Sequence, residues 1–99
     1  MGSNSAPEWT HYATPELVEL RAFLASVGHE VLRAQAKYPP FNSAHEGYAV
    51  LLEEVDELWQ EVKRKQGERD PTALLTEATQ VAAMAARFAI EIAKHNWNK

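Results

Sequence analysis

Apolar residues recur along the first half of the chain at alternating steps of three and four, the period of one face of an α-helix. Thr14, Pro15 and Glu16 precede this stripe in the order N-cap, proline at the first helical position and acid in the first turn. Two consecutive prolines follow it and end the predicted helix. Gly28 lies inside and either permits a close helix crossing or is simply tolerated. The stripe consists of Leu17, Leu20, Leu24, Val27, Val31, Ala34 and Tyr38.

A second helix is predicted between a capping motif and a glycine. Ser43 is followed three residues later by Glu46, which is the spacing of a capping box. The helix is expected to run from about Ala44 to Gln66, and Gly67 is its expected stop because glycine favours the position after a helix. The apolar stripe of this helix consists of Tyr48, Leu51, Leu52, Val55, Leu58, Trp59 and Val62.

A third helix completes the predicted fold. Asp70 and Pro71 repeat the N-cap and proline signal, and the helix is expected to run to about Lys94. No alternation of apolar and polar residues between turn signals predicts a strand. The fold class is therefore all-α, a small bundle of about three main helices, with residues 1–13 as a loose arm before a single domain at 14–99. The third stripe consists of Leu74, Ala78, Val81, Ala82, Ala85, Ala89 and Ile92.

Length and composition restrict the function classes. A chain of 99 residues forms one small domain that buries roughly 60–70% of its unfolded surface, so dimerisation would enlarge its core. The net charge of −4 argues against a partner that is a nucleic acid polymer, and the absence of cysteine excludes disulfides and thiolate metal sites. No apolar run is long enough to span a membrane and no secretory signal begins the sequence, so we expect a cytoplasmic protein.

The second helix carries five carboxylates within nine positions, more like charge than solubility requires. On a helical wheel, Glu53 and Asp56 point toward solvent. Glu54, Glu57 and Glu61 form a row along one flank of the apolar face, where neighbours lie within about 6 Å and repel one another. Charge runs usually do no more than solvate a helix face. A divalent cation would relieve this repulsion better than the basic residues of the last turn.

The third helix carries a matching polar flank. Glu77 and Gln80 lie beside its apolar stripe, three residues apart. If the second and third helices pack antiparallel, Glu54 and Glu57 converge with this pair as an all-oxygen site. Hard oxygen ligands without imidazole favour Mg²⁺, or Mn²⁺, over zinc. A di-iron carboxylate bundle would need Glu-x-x-His pairs, and the three predicted helices contain none.

The stretches "EEVDE" and "EATQ" on consecutive helices resemble the ExxE and ExxD motifs of the MazG-like all-α nucleoside triphosphate pyrophosphohydrolases. The resemblance covers roughly residues 15–94. It implies that Mg²⁺ is held by acidic residues of both motifs and that water cleaves a nucleoside triphosphate to the monophosphate and pyrophosphate. It also implies a homodimer or a dimer of dimers. Glu54, Glu57 and Glu77 match the motif positions, and Gln80 stands where the family has Asp.

The amide at position 80 changes what the resemblance implies. An amide oxygen can bind Mg²⁺ but supplies no charge, so the expected metal ligands are Glu54, Glu57, Glu77 and Gln80, with Glu61 in compensation. Three outcomes stay open: weaker metal binding with activity retained, a shifted substrate preference, or nucleotide binding without hydrolysis. The first two describe an enzyme that clears non-standard nucleotides. The third describes a non-catalytic helical dimer that binds nucleotide or a protein partner.

Phosphoanhydride cleavage also needs a base, cations for the phosphates and an apolar wall for the nucleobase. Glu53 or Glu57 is the candidate general base. Core packing is the preferred interpretation of Tyr48, Trp59 and Phe88, whereas Tyr38 and Phe41 suit packing and binding equally. The substrate-binding candidates are Lys37, Tyr38, Phe41 and Arg87, with Lys63, Arg64 and Lys94 as further cations.

Overall fold

The computed structural model describes residues 6–8 and 14–99, and in these ranges the chain is helical without strands. The all-α class with three main helices is therefore confirmed. Most of the predicted arm lies outside the described residues. The helices are α1 (Pro15–Lys37), α2 (Ala44–Val62) and α3 (Pro71–Phe88), with a 3₁₀ turn at Gln66–Glu68 and a π-helical continuation of α3 at Ala89–Lys94.

All three predicted N-caps are confirmed. The side chains of Thr14, Ser43 and Asp70 accept a backbone N–H of the first turn at 3.3, 3.1 and 2.9 Å. Glu46 departs from the reciprocal capping box, because its carboxylate accepts the backbone N–H of Asn42 at 2.7 Å and the Asn42 Nδ2 at 3.2 Å. Each helix therefore begins where local side-chain chemistry satisfies its first donors.

The predicted end of the second helix is wrong. α2 ends at Val62 rather than Gln66, and Gly67 lies inside the 3₁₀ turn instead of stopping the helix. The Arg69 side chain caps the end of α2. Its Nε donates to the Val62 carbonyl oxygen at 2.9 Å, and that oxygen is the acceptor that the Gln66 N–H would use in a continuing α-helix.

α3 is the central helix of the molecule. It packs against both α1 and α2, whereas α1 and α2 make few contacts with each other. α3 is helical to Lys94, as predicted, but Ala85 and Ala89 of its predicted stripe are exposed. A helix with neighbours on two sides buries the residues between them, and these include Arg87. The apolar core consists of Val27, Val31, Ala34, Phe41, Ala83, Met84 and Ile92.

Gly47 of α2 lies close against two aromatic side chains. A Cβ atom at this residue would lie 2.7 Å from Phe88 Cδ2 and 3.0 Å from Phe41 Cδ2. A Cβ atom at Gly28 would have nothing within 4 Å, so Gly28 is tolerated and permits no close crossing. The absence of a side chain therefore matters where α2 meets the core aromatics.

Much of the predicted core faces outward. The smallest dimension of the molecule is 21 Å, about two helix diameters, so the three helices leave broad surfaces uncovered. Core packing is the wrong interpretation of Tyr48 and Trp59 in this chain, because both are exposed, whereas Phe88 does pack against the core. Within the described residues, no helix is long and apolar enough to cross a membrane. The large exposed side chains of the predicted stripes are Leu20, Leu24, Tyr38, Tyr48, Leu52, Val55 and Trp59.

Candidate metal centre

Three of the predicted metal ligands meet between α2 and α3. Glu54 and Glu57 lie three positions apart on α2, which places their side chains on one side of the helix. Glu77 faces them from α3. One carboxylate oxygen from each residue lies within 4.8 Å of the other two. We call these three residues the carboxylate cluster.

The electrostatics of the carboxylate cluster are unfavourable without a cation. Burial raises the pKa of Glu54, and the nearby carboxylates of Glu57 and Glu77 raise it further. Burial likewise raises the pKa of Glu77, to which Glu57 and Glu61 add. Like charges and a low local dielectric both disfavour the ionised forms, so Glu54 and Glu77 hold their protons to a higher pH than an isolated glutamate.

Two oxygens of the cluster lack hydrogen-bond partners. The Oε2 atoms of Glu54 and Glu77 are both buried and unpaired. Buried polar atoms without a partner are rare in native proteins, and an ion is one of the few groups that accounts for them. Three convergent carboxylates supply the hard oxygen donors that Mg²⁺ prefers, and Mg²⁺ keeps water in its remaining positions. The residues present therefore fit a divalent hard cation.

Glu61 lies beside the cluster rather than in it. Its Oε1 accepts from Arg64 Nε at 3.0 Å, one helical turn further on. This pair leaves Glu61 with its own counter-ion, although its charge still acts on Glu77. Arg64, a predicted phosphate contact, is the residue that supplies this counter-ion.

Gln80 is held by a residue that sequence reasoning missed. Its Nε2 donates to Glu30 Oε2 of α1 at 2.7 Å. Arg33 donates through Nε to Glu30 Oε1 at 2.8 Å. The hydrogen bond from Arg33, followed by that from Gln80, lowers the pKa of Glu30 to about 2. The only signal in the sequence was the spacing of Glu30 and Arg33, which is common on helix surfaces.

A cleft of about 480 Å³ adjoins the carboxylate cluster. Glu54 belongs to both, and Glu53 and Gln80 also line the cleft. From the other side it is lined by Arg33 of α1 and by Tyr38, the C-cap residue of that helix. A groove of about 940 Å³ lies between α1 and α3, and Gln80 lines this groove as well. The Gln80 side chain therefore lies between the two cavities.

The predicted substrate-binding residues divide into two groups. Tyr38 is 51% exposed and lines the cleft, so part of its side chain is accessible to a ligand. The Lys37 Nζ lies 5.2 Å from the centre of that ring and is not part of the cleft lining. Phe41 also borders the cleft, but it is only 6% exposed and belongs to the core.

Arg87 contacts protein groups on nearly every side. Its Nε and Nη2 donate to the two carboxylate oxygens of Glu91 at 2.8 and 3.0 Å. Nη2 also donates to the Pro39 carbonyl oxygen at 3.2 Å, and the guanidinium carbon lies 4.2 Å from the centre of the Phe41 ring. Arg87 is 3% exposed, so its guanidinium charge is paired with Glu91 inside the protein even though the side chain borders the cleft.

Glu91 completes this buried network. Its carboxylate also accepts from the Phe41 backbone N–H at 2.9 Å and from Gln35 Nε2 at 3.1 Å. Burial alone would raise the pKa of Glu91, but the hydrogen bonds from Arg87, Phe41 and Gln35 outweigh it and lower the pKa. Sequence reasoning missed this network because Arg87 and Glu91, four residues apart, have the spacing of an ordinary surface pair.

No protein-family model, curated protein or solved structure matches this chain. The MazG-like resemblance therefore stays a prediction that rests on the two motifs. The geometry that bears on it is the carboxylate cluster and the adjoining cleft.

Proposed function

We propose that this protein is a Mg²⁺-dependent nucleotide pyrophosphohydrolase of the MazG-like type, which converts a nucleoside triphosphate and water to the monophosphate and pyrophosphate. The observation that carries the proposal is the convergence of Glu54, Glu57 and Glu77 to within 4.8 Å, with two buried oxygens left unpaired. The adjoining cleft supports it, because its volume of about 480 Å³ lies in the range of small-molecule sites.

We assign the parts of the proposed reaction to the residues around the cleft. A bound divalent cation, Mg²⁺ or Mn²⁺, supplies charge neutralisation on the phosphates and a positioned water. Glu53 lines the cleft outside the cluster, so its carboxylate is the better candidate to accept a proton from water. Tyr38 offers a flat wall for a nucleobase, and Arg33, whose side chain is 54% exposed, offers positive charge to a phosphate.

We further propose that the active unit is a homodimer or a dimer of dimers. Within residues 6–8 and 14–99, the apolar core of one chain contains seven residues, and none of its large side chains is fully buried. Leu52, Val55 and Trp59 of α2 remain exposed in one chain. A second copy would cover such surfaces and would enlarge a core that is small for a stable domain.

A non-catalytic nucleotide-binding dimer is the second candidate function. The observation that favours it is the residue type at position 80, because the neutral Gln80 adds no negative charge to the cluster where the motif has a carboxylate. This candidate predicts that Mg²⁺ and a nucleotide raise the melting temperature while no pyrophosphate is released. The enzyme predicts both effects.

The deciding experiment measures pyrophosphate release from a panel of standard and modified nucleoside triphosphates with Mg²⁺ and with Mn²⁺. Native protein is compared with Glu57→Gln and with Asp56→Asn, a matched loss of one exposed carboxylate on the same helix. We expect metal-dependent release that falls at least about 100-fold in Glu57→Gln, beyond the usual cost of altering a metal's outer shell. Asp56→Asn should retain it. No release from any nucleotide would reject the enzyme.

A further inference from the structure

The bond between Gln80 and Glu30 determines how the Gln80 carboxamide is turned. A carboxylate only accepts hydrogen bonds, so the atom of Gln80 that faces Glu30 is the nitrogen, which donates at 2.7 Å. The carboxamide oxygen is bonded to the same carbon and points away from Glu30. Among the described residues, no hydrogen bond to this oxygen is present, and Gln80 lines the cleft together with Glu53 and Glu54.

Glu30 is itself held in place. Arg33 donates to it through Nε at 2.8 Å to Oε1 and 3.1 Å to Oε2, and the side chain of Glu30 is only 13% exposed. The pair between Arg33 and Glu30 spans one turn of α1, whereas the bond to Gln80 crosses to α3. A largely shielded carboxylate with a fixed counter-ion is a stable acceptor, and it is well suited to orient a neighbouring amide.

An amide without such a neighbour has no fixed orientation. The C=O and NH₂ ends of a glutamine carboxamide have nearly the same size. Rotation about the last side-chain torsion exchanges their positions at little cost in free energy. If the carboxamide nitrogen faced the site, it would offer only hydrogen-bond donors to a cation or to the carboxylate cluster. The oxygen side presents an acceptor, which is what a cation or a cation-bound water requires.

We propose that Glu30 is a positioning residue that turns the Gln80 carboxamide so that its oxygen faces the metal and triphosphate site. The proposal rests on the proposed function, because it assigns Glu30 a role toward the cation of that site. It explains how an amide serves at the position where the MazG-like motif has a carboxylate. Glu30 then acts through Gln80 and does not touch the substrate.

The test compares metal binding by native protein, Glu30→Gln and Glu19→Gln. Glutamine at position 30 can either accept from the Gln80 nitrogen or donate to its oxygen, so it allows both orientations. Mn²⁺ binding is measured by titration calorimetry and by the rise in melting temperature, with the metal alone. We expect Glu30→Gln to weaken Mn²⁺ binding about 10-fold, as outer-shell changes do. Glu19→Gln removes the same charge about 16 Å earlier on α1 and should bind as native.

A second variant separates positioning from structural support. Glu30→Gln combined with Gln80→Glu reverses the pair, and a carboxylate at position 80 presents oxygen in either orientation. We expect this variant to bind Mn²⁺ at least as tightly as native protein. Native binding by Glu30→Gln, or failure of the reversed pair to recover it, would overturn the proposal and leave the proposed function standing. If native protein binds neither Mn²⁺ nor Mg²⁺, both proposals fall together.

Discussion

Two groups of partly buried carboxylates in this protein have opposite surroundings. Glu91 accepts hydrogen bonds from three residues and pairs with Arg87, and its pKa is lowered. Glu54 and Glu77 face other carboxylates, each has a buried oxygen without a partner, and their pKa values are raised. The protein itself supplies the hydrogen-bond donors and the counter-ion of Glu91. Among the described residues, none donates a hydrogen bond to the two unpaired oxygens of Glu54 and Glu77, and shifted pKa values of this kind are typical of functional sites.

The largest expected effect comes from removing the counter-ion of Glu91. Arg87→Met removes one partner of the buried pair and leaves the Glu91 charge without its counter-ion. We expect a loss of about 3–5 kcal/mol in the free energy of unfolding, which denaturant titration measures. Arg64→Met is the matched control, because the Arg64 side chain is 54% exposed and ion pairs made at the surface contribute about 0–1 kcal/mol. Equal losses in the two variants would contradict the comparison.

Removing the Glu77 carboxylate should lower activity while it raises the stability of the metal-free protein. Glu77→Gln relieves repulsion with Glu57 but takes one negative charge from the proposed metal site. We expect pyrophosphate release to fall at least about 100-fold, equivalent to about 2.7 kcal/mol. We also expect the metal-free variant to melt at a higher temperature than metal-free native protein. A variant that loses stability without metal would show that Glu77 supports the fold rather than the site.

A third test probes the packing that holds Glu91 and its partners in place. Gly47→Ala would push a methyl group against Phe41 and Phe88, and Phe41 donates its backbone N–H to Glu91. We expect a loss of about 1–3 kcal/mol in unfolding free energy, the usual cost of overpacking a core. Gly28→Ala is the matched control in an open helical position. It should stabilise the protein by roughly 0.5–1 kcal/mol, because alanine is the better helix former.

The smallest effect is a difference in pH dependence. A carboxyl whose folded pKa is raised binds protons more readily in the folded state, so the metal-free protein should gain stability as pH falls toward the ordinary glutamate pKa of 4.5. Stabilisation by Mg²⁺ should fade over the same range. Glu91 and Glu30 act in the opposite sense, and the stability they contribute is lost as pH falls below 4.5. Thermal melts with and without Mg²⁺ measure both trends.

Structural features that depend on residues close together in the chain were predictable from the sequence. The caps at Thr14, Ser43 and Asp70 involve groups two or three residues apart, so residue type alone predicts them. The convergence of Glu54 and Glu57 with Glu77 was predictable for a related reason. Helical periodicity places each carboxylate on a flank, and the packing of α2 against α3 brings the flanks together.

Local patterns in the chain were thus enough to predict the fold class, the helix starts and three carboxylates of the candidate site. The pairing of Gln80 with Glu30 and the burial of Arg87 against Glu91 were not predictable in this way, because these partners depend on how three helices pack. The tertiary structure also decided that Tyr48 and Trp59 stay exposed. Periodicity identifies an apolar face, but whether that face is covered depends on how many surfaces the rest of the chain can reach.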